Sequence, residues 1–281
     1  MSQAQSPSTT RQSVPKIRAR KGGVPIVCLT AYSTVMADIL GPHVDLFIVG
    51  DSLGNVIYGH DSTLPVALDT MILHAQAVMR AKPTALVVVD LPFGSYEASK
   101  QQAFESAARV LKESGADAVK IEGGEVMAET IAFLTSRAIP VVGHVGLLPQ
   151  STRLLGGYKL AGKERAQWPQ ILTDAKAVEA AGAFAIVVEK TVEELALQIT
   201  QALSIPTIGI GASAGCDGQV LVIDDMLGMF ENPARFVRQY ANLREVIGEA
   251  AKAYAEDVKA RRFPSAEEAY RVAERTLART R

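Results

Sequence analysis

Residues 85–124 read ALVVVDLPFGSYEASKQQAFESAARVLKESGADAVKIEGG and contain a complete strand–helix–strand unit. The first strand candidate, Ala85–Asp90, is apolar up to its last residue, which is typical of a parallel strand covered on both faces. The segment Lys100–Glu113 then carries apolar residues at helical spacing, and Gly115 favours its end. A second strand candidate, Ala118–Glu122, follows. The unit therefore predicts two parallel strands joined by a helix, each strand ending at a carboxylate.

The same alternation continues on both sides of this unit. The further strand candidates are Val24–Thr30, Leu46–Gly50, Val141–Val145, Ala183–Glu189, Pro206–Gly211 and Val220–Asp224. The further helix candidates are Ser33–Leu40, Val66–Arg80, Val126–Ser136, Glu164–Ala181 and Val192–Leu203. About eight such units predict an α/β fold, a (β/α)8 TIM barrel, with an open doubly wound sheet as the alternative. The gap between Gly211 and Val220 is too short for an ordinary helix, so the last unit departs from the pattern.

Composition excludes several classes of protein. The 281 residues carry 29 basic and 30 acidic side chains, which gives no sign of a nucleic-acid or membrane surface. Two cysteines make neither a disulfide framework nor a zinc set, which favours a reducing, cytoplasmic location. We expect residues 1–14 to be a disordered lead-in without a signal peptide, and residues 15–281 to form one barrel domain with C-terminal helices that complete the outer ring or mediate subunit contacts.

Polar residues at the strand ends are the informative ones, because a parallel barrel forms its active site there. A lone carboxylate after a strand is usually a cap or turn former. Here Asp51, Asp90 and Glu122 follow three consecutive strands. Oxygen ligands without a Cys or His pair favour magnesium. We therefore expect Asp51 and Asp90 as direct ligands and Glu122 as a ligand either directly or through water.

Three further side chains lie in the predicted mouth of the barrel. Lys120 shares a strand face with Glu122, so it needs an anionic partner, which is either Glu122 alone or also a substrate carboxylate. Glu189 follows an apolar run that suits a general base, although an ion pair with Lys190 or another neighbour is an alternative. His144 is equally consistent with a structural role and a ligand contact. The glycine-rich segment 206–220 fits either phosphate binding or close backbone packing. These residues alone indicate a magnesium-dependent barrel enzyme that acts on a small anion.

Several segments of the chain resemble ketopantoate hydroxymethyltransferases. They are LTAY, VGDSLGNVIYGHDSTLPV, DLPFGSY, GADAVKIEGG, IPVVGHVGLLPQS, GGYKLAGK and IPTIGIGASAGCDGQVLVIDDMLG, in this order from about residue 24 to residue 228. The resemblance implies a barrel of the phosphoenolpyruvate/pyruvate superfamily, usually assembled as a homodecamer. It also implies magnesium, 5,10-methylenetetrahydrofolate as co-substrate and 3-methyl-2-oxobutanoate as substrate, with 2-dehydropantoate as the product of the first step of pantothenate biosynthesis.

The matched positions assign roles that agree with the strand-end interpretation. The resemblance implies metal carboxylates at Asp51, Asp90 and Glu122, and a base at Glu189 that forms a magnesium-stabilised enolate. It implies substrate contacts at Asp51, Ser52, Asp90, Lys120 and His144.

The sequence departs from the family pattern at three places. Ser33 stands where many members have Asp, and its hydroxyl can also cap a helix. Lys190 follows the proposed base, and the GASAGCDG loop differs from the common form. Two other functions remain alternatives: a magnesium-dependent 2-oxo-acid lyase or mutase of the isocitrate-lyase kind, and a non-enzymatic 2-oxo-acid binding protein. The first usually carries a Lys-Lys-Cys-Gly-His segment, which this sequence lacks.

Overall fold

The computed structural model describes residues 11–270 and forms a closed barrel of eight parallel strands in sequence order. The strands are β1 Ile26–Thr30, β2 Leu46–Val49, β3 Leu86–Asp90, β4 Ala118–Glu122, β5 Val141–Gly146, β6 Ala185–Glu189, β7 Thr207–Ile210 and β8 Gly218–Leu221. The first strand pairs with the last, so the predicted (β/α)8 barrel is confirmed and the open-sheet alternative is wrong.

The strands alternate between two cores because successive side chains point to opposite faces. Val119 and Ile121 of β4 belong to the large cluster between barrel and helices, whereas Ala118 belongs to the inner cluster. Lys120 and Glu122 point inward, as their spacing predicted. Cys28 is a buried free thiol of the inner cluster, and burial raises its pKa well above the ordinary value.

Eleven α-helices lie before, between and after the strands of the described residues, and the side chains of Ser33, Ser99 and Asn242 cap three of them. The helices are α1 Val14–Arg18, α2 Thr34–Leu40, α3 Leu53–Val56, α4 Leu68–Arg80, α5 Lys100–Ser114, α6 Ala128–Thr135, α7 Thr152–Leu155, α8 Trp168–Ala180, α9 Glu193–Ala202, α10 Ile223–Met226 and α11 Leu243–Lys259. Ser33 caps α2 by accepting a hydrogen bond from the Met36 N–H, so a hydroxyl does cap this helix. Gly115 ends α5 in the left-handed region at φ 77°, a conformation that glycine adopts without strain.

The last barrel unit differs from the prediction. Strand β8 begins two residues earlier than Val220–Asp224, and Asp224 lies in α10 instead. A Cβ on Gly218 would lie 2.6 Å from the Ile26 carbonyl oxygen, so glycine permits the close approach that closes the barrel. The segment between β7 and β8 contains no helix, and a Cβ on Gly215 would meet Leu197 of α9. These contacts favour close backbone packing as the role of the glycine-rich segment.

The end of the barrel at the N-termini of its strands is closed by α1 and by a buried carboxylate. Ile17 of α1 is fully buried in the inner cluster. Asp217 accepts hydrogen bonds from the Thr207 backbone N–H, the Gly22 N–H and the Lys21 ammonium at 2.8–2.9 Å. It therefore ties β7 and β8 to the segment that follows α1.

The predicted termini are tested only in part. Residues 1–10 and 271–281 lie outside the described residues, and α1 already begins at Val14, so the boundary at residue 14 stays a prediction. Residues 232–242 are largely irregular, and the predicted helical tail is helical from Leu243 to Lys259. Within residues 11–270, no helix is both long and apolar enough to cross a membrane.

Candidate active site

A cavity of about 160 Å³ lies at the C-terminal ends of the strands and brings the predicted site residues together. Its lining includes Asp51, Ser52, Asp90, Lys120, Glu122, His144 and Glu189. A larger cavity of about 560 Å³ opens near Pro42, His43 and Lys82, before the starts of β2 and β3. It contains none of the predicted residues, and the smaller cavity is therefore the candidate active site.

The three carboxylates are buried, and a hydrogen bond and an ion pair connect them to their neighbours in the site. The Asp51 backbone N–H donates to Asp90 Oδ2 at 3.1 Å, because Asp51 follows β2 at the level where β3 ends. Lys120 Nζ lies 3.3 Å from Asp90 Oδ1. The Glu122 carboxylate lies on the same strand as Lys120, two residues on. Three buried acidic groups thus lie around one ammonium group at the wall of the cavity.

Burial and mutual repulsion perturb the pKa values of this cluster. Burial raises the pKa of Asp51 to about 7, and the neighbouring charges of Asp90 and Glu122 add to the effect. Burial also opposes the charged form of Lys120, but Asp90, Glu122 and Asp51 outweigh it and raise the Lys120 pKa above its ordinary value. The lysine therefore stays charged at neutral pH, whereas the raised pKa of Asp51 means that its ionised form is disfavoured beside the other carboxylates, and a further cation would favour that form.

His144 connects the cluster to Glu189. Lys120 Nζ lies 3.1 Å from His144 Nδ1, and His144 Nε2 lies 3.2 Å from Glu189 Oε2, off the line of a good hydrogen bond. An ammonium group only donates, so in the neutral ring Nδ1 carries the lone pair and the proton is assigned to Nε2, on the side of Glu189. Nδ1 also lies 3.5 Å from Glu122 Oε1, which would accept from it when the ring is doubly protonated. Burial and Lys120 oppose a second proton on the ring, whereas Glu122 and Glu189 favour it and raise the His144 pKa.

Glu189 reaches the cavity because β5 and β6 approach closely at their ends. Gly146 has φ 93°, and a Cβ there would lie 2.3 Å from the Glu189 carbonyl oxygen. The neighbouring Lys190 does not pair with Glu189, because its ammonium donates to the Tyr158 carbonyl oxygen. Of the predicted alternative, the ion pair with Lys190 is therefore wrong, whereas another neighbour, His144, does lie within ion-pair distance of the Glu189 carboxylate.

Several residues around the cavity were missed by the strand-end criterion. Gln150, in the loop after β5, contacts two of the carboxylates, and Tyr96, in the loop after β3, contacts Gln150. The Tyr32 hydroxyl lies 2.9 Å from Ser52 Oγ, in hydrogen-bonding contact. Gln150 and Tyr96 belong to the segments IPVVGHVGLLPQS and DLPFGSY, two of those that carry the family resemblance. That resemblance was the signal in the sequence that could have indicated them. Thr30, by contrast, uses its hydroxyl to accept the Ile223 N–H at the start of α10.

The donor set fits a hard cation. Asp90 Oδ1 and Glu122 Oε1 are buried carboxylate oxygens that accept no well-aligned hydrogen bond, although Lys120 Nζ and His144 Nδ1 lie 3.3 Å and 3.5 Å from them. Among residues 11–270 no three His, Cys, Asp or Glu side chains converge as a metal-ligand group. Magnesium commonly takes only one or two protein carboxylates and completes its shell with water or substrate, so this arrangement is compatible with it.

Comparisons with known proteins identify the family. A family model described as ketopantoate hydroxymethyltransferase matches residues 11–266. The chain belongs to the ketopantoate hydroxymethyltransferase family. Curated relatives from Rhizobium etli and Brucella canis, both named 3-methyl-2-oxobutanoate hydroxymethyltransferase, are 56% identical over 94% of this chain and 97% of their own. The protein is thus an enzyme of the transferase class, which sets aside the non-enzymatic alternative.

Solved structures with similar coordinates confirm the fold more widely. A phosphonopyruvate hydrolase superposes with a TM-score of 0.59 at 12% identity, covering 93% of this chain and 92% of its own. A 2,3-dimethylmalate lyase, described as a PEP mutase/isocitrate lyase superfamily member, has a TM-score of 0.57 at 16% identity and covers 88% of both chains. At these identities the likeness concerns the barrel only.

Proposed function

We propose that this enzyme transfers a hydroxymethyl group from 5,10-methylenetetrahydrofolate to 3-methyl-2-oxobutanoate in the cytoplasm. The product, 2-dehydropantoate, would be that of the first step of pantothenate biosynthesis. The observation that carries the proposal is the buried cluster of Asp51, Asp90, Glu122 and Lys120 beside Glu189, in a chain whose relatives carry the name of this reaction. The cluster would offer a bound cation and an ammonium group to a 2-oxo acid, and Glu189 would offer a base.

A divalent cation, magnesium by the chemistry of the donors, would be held by Asp51 and Asp90, with Glu122 as a ligand or as an acceptor for a bound water. When bound, it would supply Lewis-acid polarisation of the substrate keto oxygen. The buried oxygens of Asp90 and Glu122 that accept no hydrogen bond support this assignment. Asp51, Asp90 and Ser52 also face the space in which the oxo acid would lie.

Magnesium titrations of activity test the ligand assignment. We expect Asp90→Ala and Asp51→Ala to abolish productive magnesium binding, because a single carboxylate would remain as direct ligand. Glu122→Gln should have a milder effect, since an amide oxygen still accepts a hydrogen bond from water. Unchanged magnesium dependence in both alanine variants would refute the assignment.

Lys120 and His144 would bind and orient the substrate carboxylate. The ammonium group stays charged and already contacts Asp90 and His144, so it is fixed in direction. Glu189 would then take the proton from C3, and the resulting carbon nucleophile would attack the folate methylene group as one of its two C–N bonds breaks. Water would then displace the remaining folate nitrogen, which gives the hydroxymethyl product and tetrahydrofolate. His144, which contacts Glu189 through Nε2, would hold the carboxylate in position during the transfer.

Deuterium exchange at C3 separates proton abstraction from carbon transfer. We expect the wild-type enzyme with magnesium to exchange this proton of 3-methyl-2-oxobutanoate in deuterium oxide, followed by proton NMR. Glu189→Gln keeps the shape but lacks a carboxylate base, and losing a positioned base typically costs about 10²–10⁴-fold in rate. Magnesium binding should be retained, because Glu189 lies on a different strand from the proposed ligands.

Glu194→Gln on α9 is the matched control, because Glu194 is exposed and lies outside the cavity. It should exchange at the wild-type rate. Exchange by Glu189→Gln at that same rate would assign the base elsewhere. Formation of 2-dehydropantoate, measured by mass with and without folate, distinguishes the transferase from a folate-independent lyase or mutase.

We propose further that the enzyme is a homo-oligomer, with ten copies as the family resemblance implies. The exposed apolar residues of α11 support association: Ile247, Tyr254 and Val258 lie at helical spacing, and no residue of the helix is buried against the described part of the chain. Light scattering should give a mass near ten times the 30.0 kDa of one chain. Ile247→Glu should lower that mass and Glu249→Gln should not; a wild-type monomer at micromolar concentration would contradict the proposal.

A further inference from the structure

Gln150 holds two of the site carboxylates from outside the strands. Its side-chain Nε2 donates to Asp51 Oδ2 at 2.9 Å, and its backbone N–H donates to Glu122 Oε2 at 3.0 Å. The residue lies in a short 3₁₀ turn, Pro149–Ser151, that follows β5 and crosses to the ends of β2 and β4. One loop residue therefore restrains two carboxylates that belong to different strands.

The orientation of the Gln150 amide is determined by its neighbours. Nε2 also donates to the Leu91 carbonyl oxygen at 2.9 Å, so both hydrogens of the amide group are used. Asp51 and Leu91 present only acceptors, which requires the NH₂ group on their side and the carbonyl oxygen on the other. There the Tyr96 hydroxyl donates to Gln150 Oε1 at 2.6 Å. Burial raises the Tyr96 pKa far above its ordinary value, so the hydroxyl remains a donor.

Each of the hydrogen bonds to these carboxylates occupies one oxygen and leaves the second oxygen of the same group to other partners. Gln150 binds Asp51 Oδ2 and Glu122 Oε2, and the Asp51 N–H binds Asp90 Oδ2. The remaining oxygens, Glu122 Oε1 and Asp90 Oδ1, are buried and accept no well-aligned hydrogen bond; they lie 3.5 Å from His144 Nδ1 and 3.3 Å from Lys120 Nζ. The donors are uncharged amide and backbone N–H groups, and they bind one oxygen of each carboxylate. They therefore orient the carboxylates without occupying the second oxygen, which is how ligating carboxylates are commonly supported.

We propose that Gln150, oriented by Tyr96, is a positioning residue that presents the Asp51 and Glu122 carboxylates to a divalent cation. This inference rests on the magnesium site of the proposed function and adds residues to it that touch neither metal nor substrate. Gln150 and Tyr96 are both almost completely buried, so their hydrogen bonds do not compete with solvent.

The first test replaces the amide by an apolar side chain of similar length. Gln150→Met removes the side-chain donors and the acceptor but keeps the backbone N–H that binds Glu122. Loss of such a supporting group typically costs about 10–100-fold in metal affinity. We expect a loss of this size in the dissociation constants for Mg²⁺ and Mn²⁺, measured on the purified full chain without substrates, by calorimetry and by the EPR signal of free Mn²⁺. Gln170→Met is the matched control, because the exposed Gln170 amide also donates to a carboxylate, that of Asp174, outside the cavity.

The second test removes a single hydroxyl. Tyr96→Phe removes the hydrogen bond to Gln150 Oε1 while both hydrogen bonds from Nε2 remain, so we expect a smaller loss of metal affinity, severalfold, with little change in melting temperature in EDTA. Because the hydroxyl acts only through Gln150, the loss should disappear when Tyr96→Phe is introduced into the Gln150→Met background. Additive losses in the double variant would contradict the linkage, whether or not Gln150→Met is well folded.

The outcomes separate this inference from the proposed function. If the wild type binds neither Mg²⁺ nor Mn²⁺, the metal site itself is wrong. If the wild type binds them and both Gln150→Met and Tyr96→Phe bind equally well, the metal site stands and the positioning role is refuted. A drop in melting temperature with unchanged metal affinity would assign Gln150 to packing alone.

Discussion

Lys120→Met keeps most of the length of the side chain while it removes the charge. The ammonium group lies 3.3 Å from Asp90 Oδ1, and its side chain is 7% exposed. At an effective dielectric constant of about 20, unit charges at this distance attract by about 5 kcal/mol before desolvation is subtracted. Truncating one partner of a buried pair costs about 2–5 kcal/mol, much of it from the charge left behind. We expect the variant to lose free energy of unfolding in this range when no divalent cation is present.

Substrate binding should respond selectively. If Lys120 pairs with the substrate carboxylate, the same range of 2–5 kcal/mol corresponds to a weakening of about thirtyfold to several thousandfold for 3-methyl-2-oxobutanoate. Folate binding should change far less, because the proposed partner of the ammonium group is the oxo acid. Added magnesium should restore part of the stability of the variant, since a cation beside Asp90 would offset the uncompensated charge.

The assay compares the two ligands on the same preparations. Dissociation constants for 3-methyl-2-oxobutanoate and for the folate are measured by calorimetry, and stability by denaturant titration with and without magnesium. Lys112→Met on α5 is the control, because Lys112 is exposed and lies outside the cavity. Equal losses for both ligands, or intact binding of the oxo acid, would refute the substrate-carboxylate role of Lys120.

Three further variants test the scaffold around the site. The pKa of Asp217 is lowered, because its hydrogen bonds with Thr207, Gly22 and Lys21 outweigh burial; its stabilisation is present at neutral pH and lost as pH falls below about 4 through the folded-state pKa. Asp217→Asn should therefore lower the free energy of unfolding by about 1.5–3 kcal/mol at pH 7. In acid denaturation curves, the difference in stability between variant and wild type should become smaller as the pH falls. Gly146→Ala should lower kcat while Mg²⁺ affinity is retained, because Gly146 has φ 93° and an added Cβ would collide with the Glu189 carbonyl oxygen and displace the proposed base. Normal turnover would contradict this expectation. Ile17→Ala should lower the free energy of unfolding by about 2–5 kcal/mol without changing KM. A raised KM would show that packing at the N-terminal end of the barrel affects the site at the opposite end.

The barrel was predictable because its strands carry the signal themselves. Ala85–Asp90 is apolar throughout and ends at a carboxylate, so both the strand and its functional end follow from the sequence. The start of β8 could not be predicted from a run of apolar residues, because neither Gly218 nor Gln219 has an apolar side chain. Their place in the strand comes from pairing with Ile26 and Val27 of β1, which is a tertiary constraint.

The candidate site was predictable only where its residues end strands. Asp51, Asp90, Glu122 and His144 lie at or next to strand ends, and the structure brings them into one cavity. Gln150 reaches the same cavity from a loop several residues past the end of β5, and the path of a loop is set by contacts that no local pattern encodes. Loop donors were consequently missed.

The register of the barrel explains why the site has a rigid part and a sensitive part. Asp90 pairs with Lys120 across β3 and β4, and Glu122 pairs with His144 across β4 and β5, so these contacts are direct consequences of strand alignment. A slip of one residue would turn every one of them to the outer face. Glu189 has no such partner: it pairs with a glycine, Gly146, and reaches His144 diagonally through its own side chain. The charge cluster is thus fixed by the backbone, whereas the position of the proposed base depends on side-chain length and on the close approach that the glycine permits.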